Sequence, residues 1–418
     1  MGSQLPSVRK GLLQLIFSGS FMKRWNDKLR PVELVEVDKQ GHKMIAAFAL
    51  FMLNSKNMPA GKKHELAEDI ILGGIFEYLY RLIITDIKPP VFYRIKSNPE
   101  HYRQLTKWVL EQLEPRIQPL GTEFRDQLRT YLEKPDNDSL AGRILSGAHI
   151  FASNWEFTLI KGVNPGDVEL KEIEENFQIL LHEHIDLKGM EDLIKGSREG
   201  LGGFLNLCGR LRFQTRWSQT PRIPETSVLG HMFIVACFAY FFSLSVRACP
   251  ARRQNNFFAG LLHDLPELLT RDIISPVKKS VQGIGDLIKE YENQELELRV
   301  FTLFEDPVYH DLARRLRYFL GSDGATEFDS TIIKDNKIIK ISGDELQNLY
   351  NENRFDPKDG YLLKVCDNLA AFIEAYTATR NGITNEQLHH AQWKIRNLYQ
   401  KHPFLEGVHI GSLLADFD

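Results

Sequence analysis

Cysteine is scarce in this chain of 418 residues, with four at positions 208, 237, 249 and 366 and no two spaced as C-x-x-C. That leaves no thiol metal motif or redox pair, and the four read as reduced, mostly buried thiols of a cytoplasmic protein. A surplus of charge is also missing: 52 Lys and Arg stand against 55 Asp and Glu, for a formal net charge of −3. With no basic excess to neutralise phosphates, nucleic acid is not expected as a partner. The N-terminal stretch MGSQLPSVRKGLLQLIFSGSF has its apolar run broken by Gln, Ser and Gly, and position 6 is Pro. Neither a secretion signal nor a myristoylation pattern is met. Long apolar runs are few. The one at 228–246, VLGHMFIVACFAYFFSLSV, could span a bilayer by length. It carries His231 near its start and is followed by charged chain, so it reads as a buried core helix and no membrane partner is expected. Strand alternation is nearly absent. The exception is TIIKDNKIIKIS at 331–342, where two Ile-rich stretches flank Asp335-Asn336 as a hairpin turn.

What is present repeats. GGIFEYLYRLIITDIKPPV (73–91) and AGLLHDLPELLTRDIISPV (259–277) agree at seven of nineteen positions without a gap. Upstream, Arg-Trp and a later Gly-His recur at 24–53 and 216–244. Downstream, 143–164 resembles 363–384 in apolar pattern. The order is the same in both halves, and the apolar spacing is helical. The chain therefore reads as all-α: a first unit at 1–165, a helical connector at 166–204, and a second unit at 205–418 that holds the small hairpin.

Ionisable groups gather in the second unit. His263, Asp264 and Glu267 lie at i, i+1 and i+4 of an apolar helix and its exit, so His263 and Glu267 share a face. His231 stands on an earlier apolar helix and Asp367 on a later one. Charged groups are seldom buried unless paired or holding a metal. Two imidazoles and two carboxylates form a donor set for one divalent transition metal (Mn, Co, Ni, Fe or Zn).

The ordered pattern His231, His263-Asp264-x-x-Glu267, Asp367 resembles that of the HD-domain metal-dependent phosphohydrolases. The nearer resemblance, over about 205–400, is to their bacterial 5'-deoxyribonucleotidase branch. It rests on Arg216-Trp217 before the first His and on Thr270-Arg271-Asp272 followed by Pro276-Val277-Lys278. The resemblance implies two tandem HD-type helical bundles and removal of phosphate from (deoxy)nucleoside 5'-monophosphates. It implies metal held by His231, His263, Asp264 and Asp367, and a water-activating Glu267. It also implies a sugar hydroxyl contact at Asp272, phosphate contacts at Arg216 and Lys278, and Trp217 packed on the sugar against a 2'-hydroxyl. A monomer or homodimer in the cytoplasm is expected. Pyrophosphohydrolysis or phosphodiesterase action on the same centre, or a nucleotide-sensing interaction protein, are the alternatives.

Three features depart from the single-unit relatives, of which one is Leu229-Gly230 where a Ser-Glu often precedes the first His. The segment 320–362 is longer and richer in Asp and Gly. In the first unit, His42 aligns with His231, Glu77-Tyr78 replace His263-Asp264, Arg81 replaces Glu267 and Gly147 replaces Asp367. That unit is expected to hold no metal. HEH at 182–184 and His389-His390 have metal-like composition but fall in charged helices expected to be exposed.

Overall fold

The computed structural model describes residues 6–271, 283–321, 325–402 and 404–418. The first half runs through α1 (Lys10–Ser18), α2 (Glu36–Asn54), α3 (Ala60–Ile84), α4 (Pro89–Ser97), α5 (Pro99–Ile117), α6 (Thr122–Glu133) and α7 (Leu140–Val163). Three helices follow in the expected connector and just beyond it: α8 (Glu169–His182), α9 (Met190–Lys195) and α10 (Gly200–Arg210). The second half contains α11 (Val228–Ser245), α12 (Pro250–Leu262), α13 (Glu267–Thr270), α14 (Ile284–Arg299), α15 (His310–Leu320), α16 (Gly343–Asn348), α17 (Gly360–Arg380), α18 (Glu386–Lys401) and α19 (Ile410–Ala415). The protein is all-α.

The expected hairpin forms from β1 (Thr331–Lys334) and β2 (Lys337–Lys340), with Thr331 opposite Lys340. Asp335 and Asn336 both take positive φ, 51° and 59°, as a two-residue turn between right-twisted strands demands. A second pair, β3 (Phe404–Leu405) and β4 (Val408–His409), was not anticipated. Its strands are two residues long, too short for alternation to register, and only Glu406-Gly407 at the turn hints at it.

The apolar run at 228–246 becomes α11, begun where the Ser227 hydroxyl accepts the Gly230 N–H. By length and composition it could cross a membrane, and 94% of it is buried inside the protein. It is apolar on all sides because it is surrounded on all sides: by α2, α12 and α17, and by α1 at its rim. Gly260 of α12 lets the two backbones close up, since a Cβ there would lie 3.1 Å from the Ala236 Cα of α11. The contact brings the end of α12, and His263 with it, beside His231. Cys208, Cys237 and Cys366 are buried free thiols and Cys249 is partly exposed.

The halves share one continuous core. Phe48 packs on Phe258 and Tyr78 on Phe233, and the Ser227 hydroxyl donates to Asp38 of α2 at 2.7 Å. They also repeat a set of contacts. Lys23 bridges Val35 as Thr215 bridges Ser227. Trp25 and Trp217 both sit at positive φ, 56° and 55°. Each indole N–H donates to one glutamate: Trp25 to Glu156 at 3.1 Å and Trp217 to Glu374 at 2.9 Å. The arginine before each tryptophan, Arg24 or Arg216, donates to that same glutamate. Thr85 and Arg271, both at positive φ, close α3 and α13 by bonding four residues back, to Arg81 and Glu267.

These contacts correct the sequence pairing. Four residues after the bridges stand Lys39 and His231, so Lys39 and not His42 takes the place matching His231. Seven residues before the glutamates stand His149 and Asp367, so His149 and not Gly147 matches Asp367. The bond Lys39 Nζ–H to His149 Nδ1, 2.6 Å, mirrors His231 Nε2 to Asp367, 3.1 Å. His42 is a core histidine instead. It contacts the Leu205 carbonyl at 2.8 Å, and burial pushes its pKa down to about 3. The repeated Gly-His drew the alignment three residues off, because the bend around Trp25 and Trp217 sets the register and leaves little mark in the sequence.

Candidate metal centre

His231 lies in the first turn of α11 and is fully buried. His263 caps α12, and Asp264 follows in the turn before α13. Ligand-capable atoms of His231, His263 and Asp264 lie within 4.8 Å of one another, the one such group of three found among the described residues. Asp264 Oδ2 is central, 3.2 Å from His263 Nε2 and 3.8 Å from His231 Nε2. Asp367, on α17, joins through His231 at 3.1 Å and sits outside that mutual 4.8 Å group.

The donor set fits a divalent cation. His263 Nδ1–H donates to the Gly260 carbonyl at 2.8 Å, which fixes the tautomer and leaves the Nε2 lone pair aimed at the cluster. That Nε2 is buried and close to Asp264 but lacks hydrogen-bond geometry to any partner. Burial opposes charge on His263, yet Asp264 and Asp367 outweigh it and raise its pKa above the ordinary value. Burial likewise works to raise Asp264 and Asp367, but the two histidines, with Lys364 at Asp367, hold both below the usual carboxylate range. The spot favours positive charge, as a site for one divalent metal must.

Arg216 and Trp217 are held at the edge of this cluster by Glu374, a residue the sequence reading missed. Glu374 is 1% exposed on α17, two turns beyond Asp367. It accepts from Arg216 Nε at 3.3 Å, from Trp217 Nε1 at 2.9 Å and from Thr226 at 2.7 Å. Arg216 Nη1 also lies 3.5 Å from Asp264 Oδ2. The signal in the sequence was a buried-looking Glu at helical spacing from Asp367, matched by Glu156 in the first half. Trp217 packs on Ala375, Ala378 and Leu388. Glu267 opens α13 and is buried. Asp272 and Lys278 lie outside the described residues. Of the other histidines, His389 and His390 are exposed, whereas His184 is buried and donates locally to the Leu180 carbonyl.

In the first half, the corresponding places hold Lys39, Glu77, Tyr78 and His149. Lys43 is paired with Glu77, which also accepts from Tyr131 at 2.8 Å. Burial drives Lys39 and His149 to lower pKa values, with neighbouring cations adding to the shift at His149. A lysine, Lys39, thus stands where the other half has His231, and the Lys43–Glu77 pair stands beside it, so the first half does not repeat the ligand set.

Two buried ion pairs set an acid limit on stability. Burial would raise Glu36, but Arg24, Lys39 and Arg81 outweigh it and hold its pKa at about 2. Arg216, Arg222 and His231 do the same for Glu374 against its burial, also to about 2. Both folded values lie below the ordinary 4.5. Their stabilisation is thus complete above pH 4.5 and lost as pH falls through about 2. Thermal unfolding followed by circular dichroism should show Tm dropping across that window, and less steeply in Glu36→Gln. A Tm flat from about pH 4.5 to 2.5 would contradict the assignment.

Residues 208–396 match the family model described as HD domain. The HD domain is that of metal-dependent phosphohydrolases, and the segment carries a hydrolase of that general kind. The matched segment includes His231, His263, Asp264, Asp367 and Glu374, and leaves residues 1–207 outside it. No curated protein and no solved structure matches the chain.

Proposed function

We propose that the chain removes phosphate from (deoxy)nucleoside 5'-monophosphates, using one divalent transition metal held by His231, His263, Asp264 and Asp367. The observation that carries this is the arginine at the edge of the ligand set. Arg216 is braced by Glu374 and has Nη1 3.5 Å from Asp264, so its planar fork can meet a phosphoryl group delivered to the metal. A divalent metal there would supply Lewis acidity and lower the pKa of water. Glu267 takes the proton from the attacking water. Arg216 holds the phosphate, and Trp217, at positive φ and with its indole N–H held by Glu374, packs against the sugar. Asp272 at the sugar hydroxyl and Lys278 at the phosphate complete this reading.

In the same reading the chain is two copies of one helical unit, divided near 165 and 205, and the first is a scaffold. The repeated contacts around Trp25 and Trp217 support it, as does the Asp38 contact to the cap of α11. The protein works as a cytoplasmic monomer or homodimer.

Deoxyribonucleotides should be hydrolysed faster than ribonucleotides of the same base. An apolar face rejects an added hydroxyl by about 10²-fold. Trp217→Ala should narrow the kcat/KM ratio for dAMP over AMP, and Trp25→Ala should leave it unchanged. Equal rates in the parent protein would refute the sugar preference. Release of pyrophosphate from triphosphates in place of phosphate from monophosphates would replace the monoesterase reading altogether.

A further inference from the structure

The long segment between α15 and α17 builds a cleft. Its volume is about 500 Å³, within the range of small-molecule sites. Phe328, Asp329, Ser342, Asp344, Tyr361 and Lys364 are among the residues lining it. Two of its lining residues, Lys364 and Phe328, also touch the metal centre. Lys364 lies 2.7 Å from Asp367 Oδ2 and 4.2 Å from the Phe328 ring, whose centre is 5.9 Å from that of His263. A substrate with its phosphate at the metal centre has this cleft next to it for its remaining part.

The lining is specific in chemistry. Tyr361, 43% exposed at the start of α17, is the one tyrosine among the described residues lining the cleft. Two of the polar groups have structural duties: Asp329 accepts from the Thr326 N–H and pairs with Lys340 at 2.9 Å, and Ser342 forms the capping box of α16 with Glu345. Asp344, exposed in the first turn of α16, adds a carboxylate with two acceptor oxygens and no donor.

We propose that this cleft is the base-recognition site of the nucleotide substrate, with Tyr361 stacking on the base and Asp344 accepting from its N–H edge. The inference rests on the nucleotidase reading above. Guanine fits best, because its adjacent N1–H and N2–H groups meet both oxygens of one carboxylate. Hypoxanthine, lacking the N2 amino group, meets only one.

The test uses the full-length protein. Calorimetric Kd values for dGMP and dIMP are measured on metal-free protein, and kcat/KM for both with Mn²⁺, alongside phenyl phosphate. dGMP should bind about tenfold tighter than dIMP, the weight of one charge-assisted hydrogen bond. Asp344→Asn should bring the two together, and Tyr361→Ala should weaken both about tenfold through lost stacking. Trp393→Ala, an exposed change on α18, should alter neither. Equal Kd values for dGMP and dIMP, or a preference that survives Asp344→Asn, would overturn the inference and leave the nucleotidase reading standing. Turnover of phenyl phosphate with no nucleotide hydrolysed would overturn both.

Discussion

Asp264→Ala should leave the protein folded, free of metal and inactive. Its Oδ2 lies close to both histidines, 3.2 Å from His263 Nε2 and 3.8 Å from His231 Nε2. Without it two imidazoles and Asp367 are left, and Asp367 lies outside the group whose atoms are all within 4.8 Å of one another, too spread to hold a divalent ion tightly. The fold should survive, because the Asp264 side chain is partly exposed and Arg216 keeps its partner in Glu374. Elemental analysis should read about one equivalent of metal in the parent protein and near none in the variant. Circular dichroism should be unchanged. Two equivalents in the parent would mean that the first half also binds metal, against its Lys39, Glu77, Tyr78 and His149. Metal retained by the variant would move the site elsewhere.

Glu267→Ala should separate binding from chemistry. Glu267 starts α13 one helical turn after His263 and is buried beside the cluster in sequence. It is outside the group of atoms within 4.8 Å of one another. The variant should therefore keep its equivalent of metal while kcat falls by about 10²–10⁴-fold, the usual weight of a positioned general base. Glu267→Gln, equal in size but unable to take a proton at neutral pH, should fall nearly as far. Near-parent turnover in either variant would remove Glu267 from the reaction, and loss of metal in either would make it a ligand.

Much of the second half was legible from the chain alone. An all-round apolar run with one histidine, a His-Asp pair at the end of a second apolar stretch and an Asp within a third specify three buried helices with polar groups at fixed points. The hairpin at 331–342 was readable because Asp335-Asn336 supplies the two residues that tolerate positive φ. Local rules sufficed, since each of these features is decided by residues within a turn or two of one another.

Glu374 and the register of the first half were not legible. Helical spacing from Asp367 puts Glu374 on the same face, but nothing local shows what it holds, because its partners Arg216, Trp217 and Thr226 lie some 150 residues away. His42 was drawn to His231 by a shared Gly-His, while the backbone bend at Trp25 places Lys39 there instead.

The sequence by itself determined the all-α class, the hairpin at 331–342 and the polar side chains that stand on the apolar helices of the candidate metal centre, because helical periodicity and turn chemistry are local. Only the tertiary structure decided that Gly260 lets α12 close on α11, that Glu374 braces Arg216 and Trp217, and that Lys39 takes the place matching His231 in the first half. Those outcomes depend on which side chains meet when separate helices pack, and burial makes the meeting binding: a charge in the core must find its partner wherever the fold delivers one.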